Sequence, residues 1–223
     1  MTAPLGLAAT IVGEALIAGA LTGLVLHRFL RSQQPCHLYW GVGLALIAFT
    51  MAQEAVFYLG VWSTSFAQAY LVLVALLVGI LSLGTAELAL RGWEKRLWFG
   101  FIGVAGVAMV VVGILYPPAR SIVVSGVVTG LPPTPVTVVS SIVTVPATCL
   151  LVGASVYGAV WQKRYHLLFI AAGTAVIAAA GSLYLASFPL SLYYAEFVGA
   201  VLLFFGFVRL PVPALRPAPV PLI

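Results

Sequence analysis

Aspartate is absent from this chain of 223 residues, lysine occurs only at positions 95 and 163, and charged residues make up 7% of the whole. A water-soluble domain carries roughly a quarter charged residues. Ten Lys+Arg and five Asp+Glu cannot furnish the polar surface such a domain needs, which excludes an ordinary soluble globule. Without Asp there is no Ser-His-Asp triad and no Asp-based metal site, and no GxxxxGK(S/T), HExxH or GxSxG motif occurs, so the chain is read as a non-enzyme. Lys95 and Lys163 both fall between hydrophobic segments. A retinal Schiff base, which needs a lysine within a span, is therefore excluded despite the seven apolar segments. The only cysteines, Cys36 and Cys149, lie far apart in sequence and depth, so a disulfide is not expected.

What the chain has in abundance is hydrocarbon: 63% hydrophobic residues and a mean hydropathy of +1.17. A bilayer core of about 30 Å takes roughly 20 apolar residues at about 1.5 Å rise each. Runs of that length cover 4–26, 38–60, 66–90, 97–116, 138–161, 167–187 and 191–210. In lipid each segment must pair its own backbone groups, so the runs predict an all-α, polytopic helical bundle with seven transmembrane helices.

Arg28, Arg31, Arg91, Lys95, Arg96, Lys163, Arg164, Arg209 and Arg216 fall on one side of this arrangement, and Arg120 alone on the other. That bias predicts the N-terminus outside and the C-terminus cytoplasmic, in a prokaryotic cytoplasmic membrane. Trp40, Trp93, Trp98 and Trp161 mark the inner interface, and Tyr58, Trp62, Tyr116, Tyr193 and Tyr194 the outer one. The start, Met-Thr-Ala-Pro, has no basic region and Glu14 interrupts the first apolar run, so the first span is read as a mature helix. The pI of 9.5 reflects scattered arginines facing anionic headgroups; nucleic acid is not an expected partner.

The longest outer loop, 117–137, is β-branched on both sides of Ser125-Gly126, which suggests a small hairpin packed on the bundle or a docking surface for another subunit. The tail 211–223 is Pro-rich and expected to be extended. Spans one to three and five to seven begin on the same side, which allows a 3+1+3 parallel repeat with span four as linker. His37-Leu38 recurs as His166-Leu167, and the run from Gly43 resembles the run from Gly173 one residue out of step. Gly100, Gly103, Gly106 and Gly113 in span four, and Ala171, Ala175, Ala178, Ala179 and Gly181 in span six, offer surfaces for close helix packing, and Pro146 is expected to kink span five.

Four of the five glutamates fall inside spans, where a charge is costly unless protonated, paired or wetted. Glu87 precedes Arg91 by four residues, the favourable order for a helical ion pair, and Glu94 is a loop charge beside Lys95. At about 1.5 Å per residue, Glu196 lies roughly 7 Å, Glu54 roughly 9 Å and Glu14 roughly 15 Å below the outer surface. They are candidates for a proton or cation pathway, or for neutral acids tying helices together. Gln53, Tyr58, Tyr193, Tyr194 and Thr10 are the nearby polar groups in sequence. His27, His37 and His166 lie at the inner edge, Cys36 beside His37; they are weak haem or metal candidates without a metal-binding spacing, and no cofactor is predicted.

The stretch from His37-Leu-Tyr-Trp to Ala52-Gln-Glu54, with Ala69-Tyr70, Leu83-Gly-Thr85, Leu192-Tyr-Tyr-Ala-Glu196-Phe-Val-Gly199 and Phe205-Gly-Phe207, resembles small seven-helix integral membrane proteins of bacteria and archaea that have no assigned activity. The resemblance implies the same topology and importance for Glu196; Glu87 departs from the apolar residue more usual at that place.

Three functions from different classes follow as expectations. The first is a non-catalytic subunit or scaffold of a larger membrane assembly, partnered by lipid, other membrane subunits or itself. The second is a proton-coupled transporter or cation pathway using the buried glutamates. The third is a seven-helix membrane sensor with a pocket lined by Tyr58, Tyr184 and Tyr193.

Overall fold

The computed structural model describes residues 5–124, 127–128, 131–185 and 189–208. Among them are seven α-helices: α1 Leu5–Ser32, α2 Pro35–Tyr58, α3 Thr64–Ala89, α4 Gly92–Leu115, α5 Thr134–Trp161, α6 Leu167–Leu185 and α7 Pro189–Val208. Five stretches are long and apolar enough to cross a membrane, namely Ala9–Ser32, α2, α3, α4 and α5, and two shorter apolar ones lie in α6 and α7. This is a membrane protein. Its outward faces confirm the inverted solvent relation: Leu16, Val104, Val107 and Val145 are among many large apolar side chains left exposed.

Short connections make successive helices antiparallel. Gln33, with φ of 52°, reverses the chain between α1 and α2, and Pro35 opens α2 where its missing N–H costs nothing. Gly60 ends α2 at φ of 83° while its N–H bonds the Phe57 carbonyl, and Ser63 caps α3 by accepting the Phe66 N–H at 3.1 Å. Pro146 lies inside α5, which continues through it to Trp161.

The helices form a closed ring. α1 packs on α2, α2 on α3, α3 on α5, α5 on α6, α6 on α7, and α7 returns to α1; α4 lies outside against α3 and α5. Glycine sets the closest approaches, because lipid supplies no hydrophobic drive and backbones must meet. Gly43 of α2 lies against Leu81 of α3, and Gly84 of α3 against Trp40 and the Cys36 carbonyl of α2. Gly173 of α6 lies against Leu203 and the Gly199 carbonyl of α7, and Gly206 of α7 against Ile170 of α6. The sequence expectation for α4 needs correction: Gly106 and Gly113 do meet Leu76 and Val72 of α3, but Gly100 and Gly103 have nothing within 4 Å. In α6 Ala171 is buried, whereas Ala175, Ala178 and Ala179 are exposed, so the α6–α7 contact runs through Gly173 instead. Gly181 is outside the residues whose side chains are described.

Two ends can be told apart. At the hairpin end, a 3-10 turn Arg120–Ile122 leads into β1 Val123–Val124, paired antiparallel with β2 Val127–Val128. Ile122 and Val128 are buried with Phe57, Ala67 and Tyr70, so this part of loop 117–137 lies on its own bundle. Ser125-Gly126 and the tail 211–223 lie outside the described residues. At the opposite, basic end, the Arg28 guanidinium donates from Nη1 to the Phe207 carbonyl at 2.6 Å and from Nη2 to the Val208 carbonyl at 2.8 Å, satisfying the carbonyl end of α7. Trp40 Nε1 donates to Thr85 Oγ1 at 3.3 Å, and its ring meets Phe207 edge-on.

Candidate functional site

A cavity of about 580 Å³ occupies the middle of the ring, lined by residues of all six ring helices and by none of α4. Val128 and Pro132 bound it at the hairpin end. Leu81, Leu203 and Phe207 bound it at the basic end, with Trp40 behind them. On the α5 side Ser141, Val145 and Cys149 line the cavity and are also exposed, so the chamber is open there.

Its polar wall is a helical stripe. Thr137, Ser140, Ser141, Thr144 and Thr148 of α5 recur at three- and four-residue spacing and therefore share one face. Thr50 of α2 and Thr174 of α6 also line the cavity, although the Thr50 hydroxyl donates to its own helix at the Ile47 carbonyl, 2.9 Å away. Beside the stripe, the neighbouring α3 presents Leu71, Val74, Leu77 and Val78. Neither hydroxyl stripe nor apolar face was singled out from sequence, although the spacing of the α5 hydroxyls is legible there.

Glu14 and Glu196 both line this chamber. Glu14 is 3% exposed, and Glu196 is half-buried with its Oε2 shut away and unpartnered among the described residues. Glu54 is 2% exposed and stands behind the wall: its Oε1 accepts the Tyr70 hydroxyl, and its Oε2 has no partner among the described residues. Tyr70 itself lines the chamber. The three carboxyls, from α1, α2 and α7, lie within electrostatic reach of one another: Glu54 and Glu14 both act on Glu196, and Glu54 acts on Glu14. Carboxylates this close in low dielectric do not all stay charged without a compensating proton or cation.

The polar neighbours expected from sequence divide. Gln53 is buried, with its Oε1 unpartnered among the described residues. Tyr58 is half-buried and outside the cavity lining. Tyr194 is exposed, with its hydroxyl beside Gly6 of α1. The side chains of Tyr184 and Tyr193 lie outside those described. Tyr70, sixteen residues from Glu54 and on the next helix, is the partner that the search among sequence neighbours missed.

Two expectations at the basic end are settled differently. Glu87 pairs with Lys95 at 3.0 Å and not with Arg91. α3 stops at Ala89 and the backbone turns extended at Leu90, so Arg91 leaves the helical face on which it would have met Glu87. His37 Nδ1 is 2.9 Å from Ser32 Oγ and its ring packs edge-on against Trp40, His27 is exposed, and His166 is half-buried. Among the described residues no three His, Cys, Asp or Glu side chains are grouped to hold a metal ion. No family model, curated protein or solved structure matches this chain.

Proposed function

We propose that this chain is a carrier of a small solute, coupled to protons through Glu14, Glu54 and Glu196, and not a catalyst. The observation that supports this most is the central chamber, ringed by six helices and faced by carboxyls from the neighbouring helices α1 and α7. Carriers place substrate sites near the midplane between repeated halves and expose them by rocking one half against the other.

The ring order supports such halves. α1–α3 and α5–α7 follow one another around the ring in the same sense, and α4 sits outside as the linker of a 3+1+3 repeat. The glycine contacts repeat with it. Gly43 meets Leu81 as Gly173 meets Leu203; three residues on, Gly84 meets Trp40 as Gly206 meets Ile170, and Trp40 and Ile170 each lie three residues before their own helix's glycine. In this reading all seven helices span a prokaryotic cytoplasmic membrane, with the hairpin end outside and the basic end inside. The resemblance of its motifs to small seven-helix membrane proteins fits the same plan.

The test is reconstitution of the full chain in liposomes holding a pH-sensitive dye, under an imposed pH gradient and a panel of small solutes. Solute-dependent proton movement, lost in Glu14→Gln and Glu196→Gln, is expected. Movement no different from protein-free liposomes across the panel overturns the reading.

The alternative of a non-catalytic subunit or scaffold is favoured by one face of α4, where Gly100, Gly103, Val104 and Val107 are exposed to whatever lies beside the bundle. A free monodisperse monomer in mild detergent counts against it. A sensor reading has less support, since Tyr58 is not part of the chamber wall.

A further inference from the structure

We propose that the solute is a small organic cation, its positive centre held between Glu14 and Glu196 and its apolar body laid against the α3 wall. The inference rests on the carrier reading and names its substrate class. Four features of the chamber lead to it.

The first is charge. Among the described residues lining the chamber are two carboxyls and no Lys, Arg or His, and Glu54, bonded to the lining residue Tyr70, adds a third acidic group behind. An anionic solute finds hydroxyls here but no compensating cation, and meets three acids of its own sign. The second is an unmet valence: Glu54 Oε2, on a side chain 2% exposed, and Glu196 Oε2 are both shut away without a hydrogen-bond partner among the described residues. Of the two, only Glu196 belongs to a residue that lines the chamber, where a proton, a water or a donor on a guest would satisfy it. The third is spacing. The carboxyls sense one another, yet among the described residues no three His, Cys, Asp or Glu side chains are grouped to hold a metal ion, which needs oxygens at about 2.3–2.6 Å from a shared centre. A positive group wider than a bare ion can lie between two carboxyls without that close coordination. The fourth is the wall itself, where Leu71, Val74, Leu77 and Val78 offer an unbroken apolar strip. A hydrated inorganic ion gains nothing from that strip, whereas an alkyl- or aryl-substituted ammonium does. The hydroxyls of Thr144 and Thr148 on the neighbouring α5 suit a polar substituent.

Tetraphenylphosphonium and tetraphenylborate have nearly the same shape and opposite charge, so they separate charge from fit. Equilibrium dialysis of each against the purified full chain in a neutral detergent is expected to show saturable phosphonium binding, about tenfold or more tighter than the borate. Glu14→Gln and Glu196→Gln are each expected to weaken phosphonium binding about tenfold or more, and Glu94→Gln, an exposed charge in the first turn of α4 outside the chamber and not in the loop expected from sequence, to leave it unchanged. Borate bound as tightly as phosphonium overturns the inference on the unaltered chain, whatever happens to the variants' folding. So does phosphonium binding that survives the double Gln variant. Uptake of tetraethylammonium into liposomes distinguishes this from failure of the carrier reading: cation bound but never moved overturns the carrier and keeps the site, while proton movement driven only by neutral or acidic solutes keeps the carrier and overturns the cation.

Discussion

The Tyr70 hydroxyl of α3 donates to Glu54 Oε1 of α2, so the one acid that stands behind the chamber wall is tied to an aromatic residue that forms part of it. Removing the hydroxyl in Tyr70→Phe leaves both oxygens of a buried carboxyl without this donor. A cost of about 1–3 kcal/mol is expected, the usual penalty for stranding a buried polar group. The midpoint of thermal unfolding in detergent should fall, and fall less in Glu54→Gln, whose amide oxygen still accepts from Tyr70. An unchanged midpoint in Tyr70→Phe contradicts the assignment.

Arg28 closes the ring at the basic end, because its guanidinium joins α1 to the last carbonyls of α7. Hydrogen bonds to a charged group contribute about 1.5–3 kcal/mol each when buried. Arg28 is half-exposed, so a total near the lower value is expected for Arg28→Ala. Lysine offers one point charge in place of a planar fork and should restore only part of it. Unfolding midpoints ordered wild type, Lys, Ala check this; equal midpoints for all three would remove the capping role.

The helices were legible in the sequence because lipid leaves a run of twenty apolar residues one solution, and charges or Pro/Gly clusters separate the runs. The facing of those helices was not. An apolar chain has apolar residues on every face, so periodicity does not say which side of α4 meets protein, and Gly100 and Gly103 looked no different from Gly106 and Gly113. Glu87 was assigned to Arg91 on the assumption that α3 continued two residues further than it does. Of the site, the acidic residues stood out by rarity. Tyr70 did not, because the tight turn after Gly60 had to bring α3 back along α2 before a partner on the next helix could be seen. The α5 hydroxyls carried a readable period, but nothing in α5 alone indicated that a cavity lay beside them.

Gly173 and Gly103 make a matched pair for testing the ring. A Cβ on Gly173 would sit 2.8 Å from the Gly199 carbonyl oxygen and 3.0 Å from the Leu203 nitrogen, both backbone atoms that cannot step aside. Gly173→Ala is therefore expected to force α6 from α7 and cost about 1–3 kcal/mol. Gly103→Ala adds a methyl to open space and removes backbone entropy from the unfolded helix, for a gain of about 0.5–1 kcal/mol. Opposite shifts in unfolding midpoint are expected, and a fall for Gly103→Ala as large as that for Gly173→Ala would mean that the exposed face of α4 is covered.

The two cysteines report on the chamber from opposite situations. Cys149 of α5 lines the cavity and is exposed, whereas Cys36 at the start of α2 is buried in the core with Trp40 and Phe207. If water fills the chamber, a small charged methanethiosulfonate reagent reaches Cys149 in liposomes and leaves Cys36 intact, because a thiolate forms only where its charge is solvated. The hydroxyls of Thr144 and Thr148, five residues and one residue before Cys149 in α5, are the groups that would hold that water. Mass spectrometry of the intact chain should then show one adduct, lost in Cys149→Ser and slowed by any solute that occupies the chamber. Modification by membrane-soluble maleimides alone would place Cys149 against lipid, and the open side of α5 would then lead into the bilayer instead of the aqueous phase.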